Sequence, residues 1–185
     1  MSVAAVILAA GEGSRLGGVA KALLPIAGTT YLARIVATAR EVGLGDAVVI
    51  VAPPHGDDVA AHARELGLRV VVNPEPARGM ASSIALGFGA LREGNAAWLW
   101  PVDHPHVTSA TLRSLLAAIA QHAVARPVHA GRGGHPPLIA RTLWPALADC
   151  PPAGARGVLA AGDAVAVTVD DPGVVRDVDT REDLT

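Results

Sequence analysis

From Leu8 the chain reads Leu-Ala-Ala-Gly-Glu-Gly-Ser-Arg-Leu-Gly and reaches a lysine at position 21. Four glycines fall between positions 11 and 18, with Ser14 and Arg15 among them. Glycines let backbone amides approach an anion closely and point inward together, as residues 11–14 could. Arg15 adds a planar fork for phosphate oxygens, and Lys21 a compact charge. Such a set can neutralise a triphosphate and the charge that develops as it reacts. Asp103 is the complementary group. It ends the apolar run Ala-Trp-Leu-Trp-Pro-Val, and a carboxylate at a strand end can share Mg²⁺ with phosphate oxygens. The bland alternatives are a solvated glycine turn and a helix-capping aspartate.

Two familiar phosphate loops fit poorly. A dinucleotide fingerprint starting at Gly11 needs a small residue where Leu16 stands, and a Walker loop needs Gly-Lys-Ser/Thr around Lys21, which sits in Ala-Lys-Ala. His104 and His106 flank Asp103, so an Asp/His transition-metal site is a second possibility there. No Ser-His-Asp array is evident. Chemistry at a triphosphate would then rest on positioning, Mg²⁺ and cationic clamps.

The elements that must position these residues follow from hydrophobic period. Residues 3–9 are a short apolar run that stops at glycine, the pattern of a strand buried on both faces. Further strands are expected at 47–51, 69–72, 97–102, 127–130, 138–140 and 164–169. Helices are expected at 31–42, capped by Thr29 or Thr30, at 59–66, at 81–91, and after Thr108 or Ser109. Pro101 should lie near a strand end or at a bulge. Alternating strands and helices predict an α/β fold, a Rossmann-like doubly wound, mostly parallel sheet in three α/β/α layers. Ligands of such sheets bind beyond the carboxyl ends of the strands, where both the glycine loop and Asp103 should sit. No linker or repeat divides the 185 residues, which are expected to form one domain, 1–185.

Composition narrows the partners. The formal net charge of −2 offers no basic surface for nucleic acid. Cys150 is the only cysteine, so no internal disulfide and no cysteine-based zinc site can form, which fits a reducing cytoplasm. Mean hydropathy is positive, yet no apolar run approaches the length of a membrane span. The first eleven residues lack the positive start of a signal peptide and read as a buried strand. Trp98, Trp100 and Trp144 are expected in the core or at its rim.

The pattern L-A-A-G-x-G-x-R-x-G…K-x-L-L-P resembles the signature loop of the MobA-like nucleotidyltransferases, most closely their molybdenum cofactor cytidylyltransferase branch. Asn73-Pro74 with Gly79-Met80-Ala81-Ser82-Ser83, then Pro101-Val102-Asp103-His104-Pro105, Gly134-His135-Pro136 and Gly154-Ala155-Arg156 are similar to later family segments. So is the closing Asp177-Val178-Asp179-Thr180-Arg181-Glu182-Asp183-Leu184. The motifs occur in the family's order. The resemblance implies a nucleotide-diphospho-sugar transferase type of fold and Mg²⁺-dependent transfer of a nucleoside monophosphate from an NTP to a phosphorylated acceptor. Arg15, Lys21 and Asp103 would be catalytic. Leu8, Ala9, Ala10, Gly11, Gly13, Ser14, Gly79, Ser82 and Ser83 would bind the nucleotide. Asp103 and Asp179 would hold the metal, with Asp177 as understudy. In the family, Ala at the place of Ala10 goes with CTP. The implied acceptor is a molybdopterin-type phosphate near His135 and Arg156, with molybdoenzyme-maturation partners. A sugar or polyol phosphate is the alternative acceptor. A non-catalytic nucleotide-binding module and a nicotinamide-dependent oxidoreductase are alternative functions. His104 departs from the family, which has Gln there.

Overall fold

In the computed structural model, which describes residues 2–13 and 17–178, the strands form an eight-stranded sheet. The strands are β1 (Val3–Leu8), β4 (Leu44–Val51), β5 (Arg69–Val72), β6 (Ala96–Pro101), β7 (Val124–His129), β8 (Arg132–Gly133), β9 (Leu138–Ala140) and β10 (Ala164–Thr168). Their order is β10-β7-β9-β6-β1-β4-β5, with β8 paired to β7. β1 pairs in parallel with β4 and β6, β4 with β5, and β10 with β7. β9 runs antiparallel between β6 and β7. A separate hairpin joins β2 (Pro25–Ile26) to β3 (Thr29–Thr30).

Side-chain alternation divides the core into two layers. Val3, Ala5 and Ile7 of β1 and Trp98 and Trp100 of β6 face one cluster. There they meet Leu32, Ile35 and Val36 of α1 (Tyr31–Arg40), Val59 and Ala63 of α2 (Gly56–Glu65), and Leu112 and Leu115 of α4 (Ser109–Ala118). Ala4, Val6, Ala97 and Leu99 face the other cluster. It holds Ile84 and Phe88 of α3 (Met80–Ala90), Trp144 and Leu147 of α5 (Trp144–Ala148), and Ala155 beside α6 (Arg156–Ala161). This is the expected three-layer, mostly parallel architecture. No helix among the described residues is long and apolar enough to cross a membrane.

The caps are chemically specific. Thr30 Oγ1 accepts from Ala33 N at 3.2 Å and caps α1, and Thr108 Oγ1 accepts from Thr111 N at 3.5 Å and caps α4. Pro101 is the last residue of β6, where its missing N–H costs no interior ladder bond. The hairpin, β8, α5 and α6 are additions to the sequence expectation, and β9 departs from the parallel sense of its neighbours.

Candidate active site

The site begins with a register. β1 and β6 lie side by side in parallel, with Leu8 opposite Pro101. Their carboxyl ends therefore release the glycine loop and the Asp103 turn as neighbours. Val102 N donates to Leu8 O at 3.1 Å, and Ala9 N to Ile50 O at 2.8 Å, which seals the base of the crevice. From β1 the sheet continues to β4 and β5 on one side and to β6 on the other, so the crevice is a topological switch point.

The glycine loop closes on itself through Gly18 N, which donates to Gly13 O at 3.0 Å. Gly13 has φ +61°, and any Cβ there would run into the Val19 carbonyl, so the turn requires glycine. A 3₁₀ turn over Lys21–Leu23 follows, with Ala22 buried beneath it. It brings Lys21 Nζ to 3.6 Å from Asp103 Oδ2, with side chains 16% and 26% exposed. The pair is thus shielded enough to interact and open enough to exchange partners. A cavity of about 500 Å³ lies over it, lined by residues 8–12, Lys21, Gly79, Met80, Ser83 and Asp103, among others.

Burial of Asp103 would raise its pKa. The His104 hydrogen bond and charge, with the Lys21 charge, outweigh that and hold it below the usual carboxylate value. His104 Nδ1 donates to Asp103 Oδ1 at 2.9 Å, which leaves Oδ2 to Lys21. The His104 ring stands edge-on to His135, 5.0 Å away. Burial first, then the neighbouring His104, drives the His135 pKa down to about 4, so this imidazole is neutral at pH 7. Val178 N donates to the Asp103 carbonyl at 3.0 Å, which docks the C-terminal segment on the same turn and places exposed Asp177 next to it in sequence. Among the described residues no group of three His, Cys, Asp or Glu could hold a metal, so the Asp/His transition-metal possibility finds no support. A hard carboxylate oxygen of Asp103 in the wall of a cavity that also holds Glu12 and Lys21 does fit Mg²⁺, which takes few protein ligands and completes its shell with phosphate and water.

Leu8, Ala9, Ala10, Gly11, Gly79, Ser83, Lys21 and Asp103 thus converge on one cavity. Ser82 departs from that set and lines a neighbouring cavity of about 380 Å³ with Asn73, Glu75, Arg78 and Cys150. Consecutive helix residues point about 100° apart, so Ser82 and Ser83 do not share a wall. Neither serine caps α3. Ser82 Oγ donates to Gly79 O at 2.8 Å, and Asn73 Nδ2 donates to Ser82 Oγ and Ser83 Oγ at 2.9 and 3.0 Å. Asn73 is fully buried and is the hub of this segment, a role its place before Pro74 only hinted at. Glu12 and Met80 also line the site. Glu12 was visible only as the variable residue between two glycines. His135 and Arg156 are held by different layers of the fold. No hydrogen bond or ion pair among the described residues joins them, and α6 packs on the α3/α5 layer while His135 N donates to Val174 O in the opposite layer. Ser14, Arg15 and Asp179 lie outside the described residues.

Residues 5–167 match the model of the MobA-like NTP transferase domain. The chain belongs to that family. This MobA-like domain is 34% identical over 193 residues to nicotine blue oxidoreductase of Paenarthrobacter nicotinovorans, covering 98% of this chain and 94% of the relative. It is 40% identical over 138 residues to the bifunctional IPC transferase and DIPP synthase of Rubrobacter xylanophilus, covering 71% of this chain but only 31% of that longer protein. A 78-residue stretch is 46% identical to 2-C-methyl-D-erythritol 4-phosphate cytidylyltransferase of Saccharopolyspora erythraea, covering 41% of this chain and 34% of that one. Among solved structures it is similar to Rv0371c of Mycobacterium tuberculosis H37Rv, with TM-score 0.79 and 28% identity over 99% of this chain and 95% of that one. Rv0371c has also been solved in complex with manganese, at TM-score 0.73 and 25% identity over 99% and 96% of the two chains.

Proposed function

We propose that the strand-end cavity binds an NTP with a divalent cation and transfers its nucleoside monophosphate to a phosphorylated small molecule. The observation that carries this reading is the Lys21–Asp103 pair at 3.6 Å in the wall of a cavity rimmed by residues 8–12. An acceptor phosphate oxygen would attack the α-phosphorus in line. The bond from the α-phosphorus to the bridging oxygen would break, and pyrophosphate would leave with its electrons. Backbone amides of the glycine loop would cradle the phosphates, with Lys21 and Arg15 neutralising them. Asp103 and Asp179, with Asp177 as alternative, would hold Mg²⁺, which supplies charge neutralisation at the reacting phosphate. The manganese complex of Rv0371c supports a divalent ion.

CTP is the favoured donor, because Ala10 lines the cavity and a methyl group there would narrow a base pocket against a purine. The cytidylyltransferase relative supports both CTP and a sugar- or polyol-phosphate acceptor. A molybdopterin-type phosphate is the narrower alternative. Neutral His135 could offer such an acceptor a hydrogen bond at pH 7 but no positive charge.

A second reading is favoured by one observation, the near full-length similarity to an oxidoreductase. In that reading the same crevice holds a nicotinamide cofactor. One experiment separates the two. The purified chain is incubated with Mg²⁺, each of the four NTPs, and a panel of sugar, polyol and molybdopterin phosphates, with pyrophosphate release followed. Acceptor-dependent release, fastest with CTP, is expected. No release with any pair, together with protein-dependent reduction of an added quinone-type dye by NADH or NADPH, would replace transfer by oxidoreduction.

A further inference from the structure

His104 is held both through its backbone and through its ring. It is 7% exposed. Its backbone N donates to Pro101 O at 3.2 Å, and its carbonyl accepts from Trp100 Nε1 at 3.0 Å, inside the core. His135 supports the ring edge-on at 5.0 Å and is tied in turn to Val174. With the buried ring set against His135, the 2.9 Å bond from Nδ1 to Oδ1 favours one carboxylate orientation.

We propose that His104 is a positioning residue that occupies one oxygen of Asp103 and reserves the other, Oδ2, as a single-oxygen ligand exchanged between Lys21 and a divalent cation. The inference rests on the nucleotidyl-transfer reading, in which the cation arrives with the nucleotide. At 3.6 Å the Lys21 ammonium stands in for that cation on Oδ2. A Mg²⁺-type ion binds carboxylate oxygen at about 2.0–2.1 Å and would displace it. The flexible lysine stem then carries the charge to the phosphates, while His104 keeps the carboxylate from turning to chelate through both oxygens. Groups that orient a metal ligand in this way typically matter by about 10–100-fold in metal affinity.

The test compares the wild-type chain with His104→Ala and His104→Asn. The Asn amide nitrogen occupies the place of Nδ1 and keeps the donor. Free Mn²⁺ is counted by electron paramagnetic resonance as it is titrated into protein with CTP, and with GTP, UTP and ATP in parallel. Thermal melting is followed on the same samples. His104→Ala is expected to weaken Mn²⁺ binding by about tenfold or more, and His104→Asn to return it to within about threefold of wild type. The two variants are expected to melt alike, and Mn²⁺ affinities that track melting temperature across both variants would reduce His104 to a structural role and overturn the inference. An Ala variant that binds Mn²⁺ as the wild type does, or an Asn variant as weak as Ala, overturns the inference and leaves the transfer reading standing. A wild-type chain that binds no Mn²⁺ with any of the nucleotides overturns both.

Discussion

Asp171 closes the turn that brings the C-terminal segment to the site, and its removal should be costly in a way that depends on pH. Asp171 is 4% exposed. Oδ2 accepts from Thr108 N at 2.8 Å, Thr108 Oγ1 at 2.8 Å and Thr111 Oγ1 at 2.6 Å, and Oδ1 accepts from Gly173 N at 3.0 Å. Hydrogen bonds to a charged group contribute about 1.5–3 kcal/mol each and do not add fully, so Asp171→Ala should cost about 3–4 kcal/mol. Asp171→Asn keeps an acceptor for the threonine donors but loses the charge and turns an NH₂ toward Gly173 N–H, for about 1–2 kcal/mol. Burial would raise the Asp171 pKa, but the donors from Thr111, Thr108 and Gly173 outweigh it and hold the value below the ordinary one. A depressed folded-state pKa stabilises the fold fully above the unfolded value of about 4, and the contribution is lost as pH falls through the folded value. Urea unfolding followed by tryptophan emission should show a constant gap between wild type and Asp171→Ala from pH 7 to pH 5. The gap should narrow at pH 3. A gap under about 1 kcal/mol at pH 7, or one unchanged at pH 3, would refute the reasoning.

Three further outcomes are expected. Gly87 presses α3 onto β1 so closely that a Cβ would run into Val6 Cγ1. Gly87→Ala should therefore destabilise by about 1–2 kcal/mol despite its better helix propensity, and pairing it with Val6→Ala should cost less than the sum of the two singles in urea titrations. Lys21→Ala should lower the rate of pyrophosphate release by about 10²–10³ with an unchanged circular dichroism spectrum, and a loss under about tenfold would remove Lys21 from the phosphate clamp. In thermal shift with Mg²⁺, CTP should raise the melting temperature more than GTP, UTP or ATP, and a clear GTP preference would undo the argument from Ala10.

Much of the framework was legible because its signals are local. β1, β4 and β6 are buried on both faces, so their apolar runs announced them, and an aspartate at the end of such a run pointed to a strand-end site. What stayed hidden depends on neighbours. Leu138, Ile139 and Ala140 read the same in either direction, so the antiparallel sense of β9 left no trace in the sequence. α5 and α6 span five and six residues, too few for a helical period to register against Pro145 or the flanking glycines. The adjacent Ser82 and Ser83 looked equivalent until the helix sent one into each cavity. The bond from His104 to Asp103 was also illegible, because a histidine beside an aspartate carries no information about which way its ring turns. Arg156 was carried by family resemblance alone, and the helix it begins packs in the α3/α5 layer.

The most direct test of the account is a crystal structure of the chain grown with Mn²⁺ and a non-hydrolysable CTP analogue, read at the manganese anomalous edge. The expected result is a single peak bound to Asp103 Oδ2, to a carboxylate of Asp179 or Asp177 and to phosphate oxygens, with the Lys21 ammonium moved from the carboxylate onto the phosphates. Manganese and phosphates found away from the crevice between β1 and β6, with Lys21 still on Asp103, would contradict it.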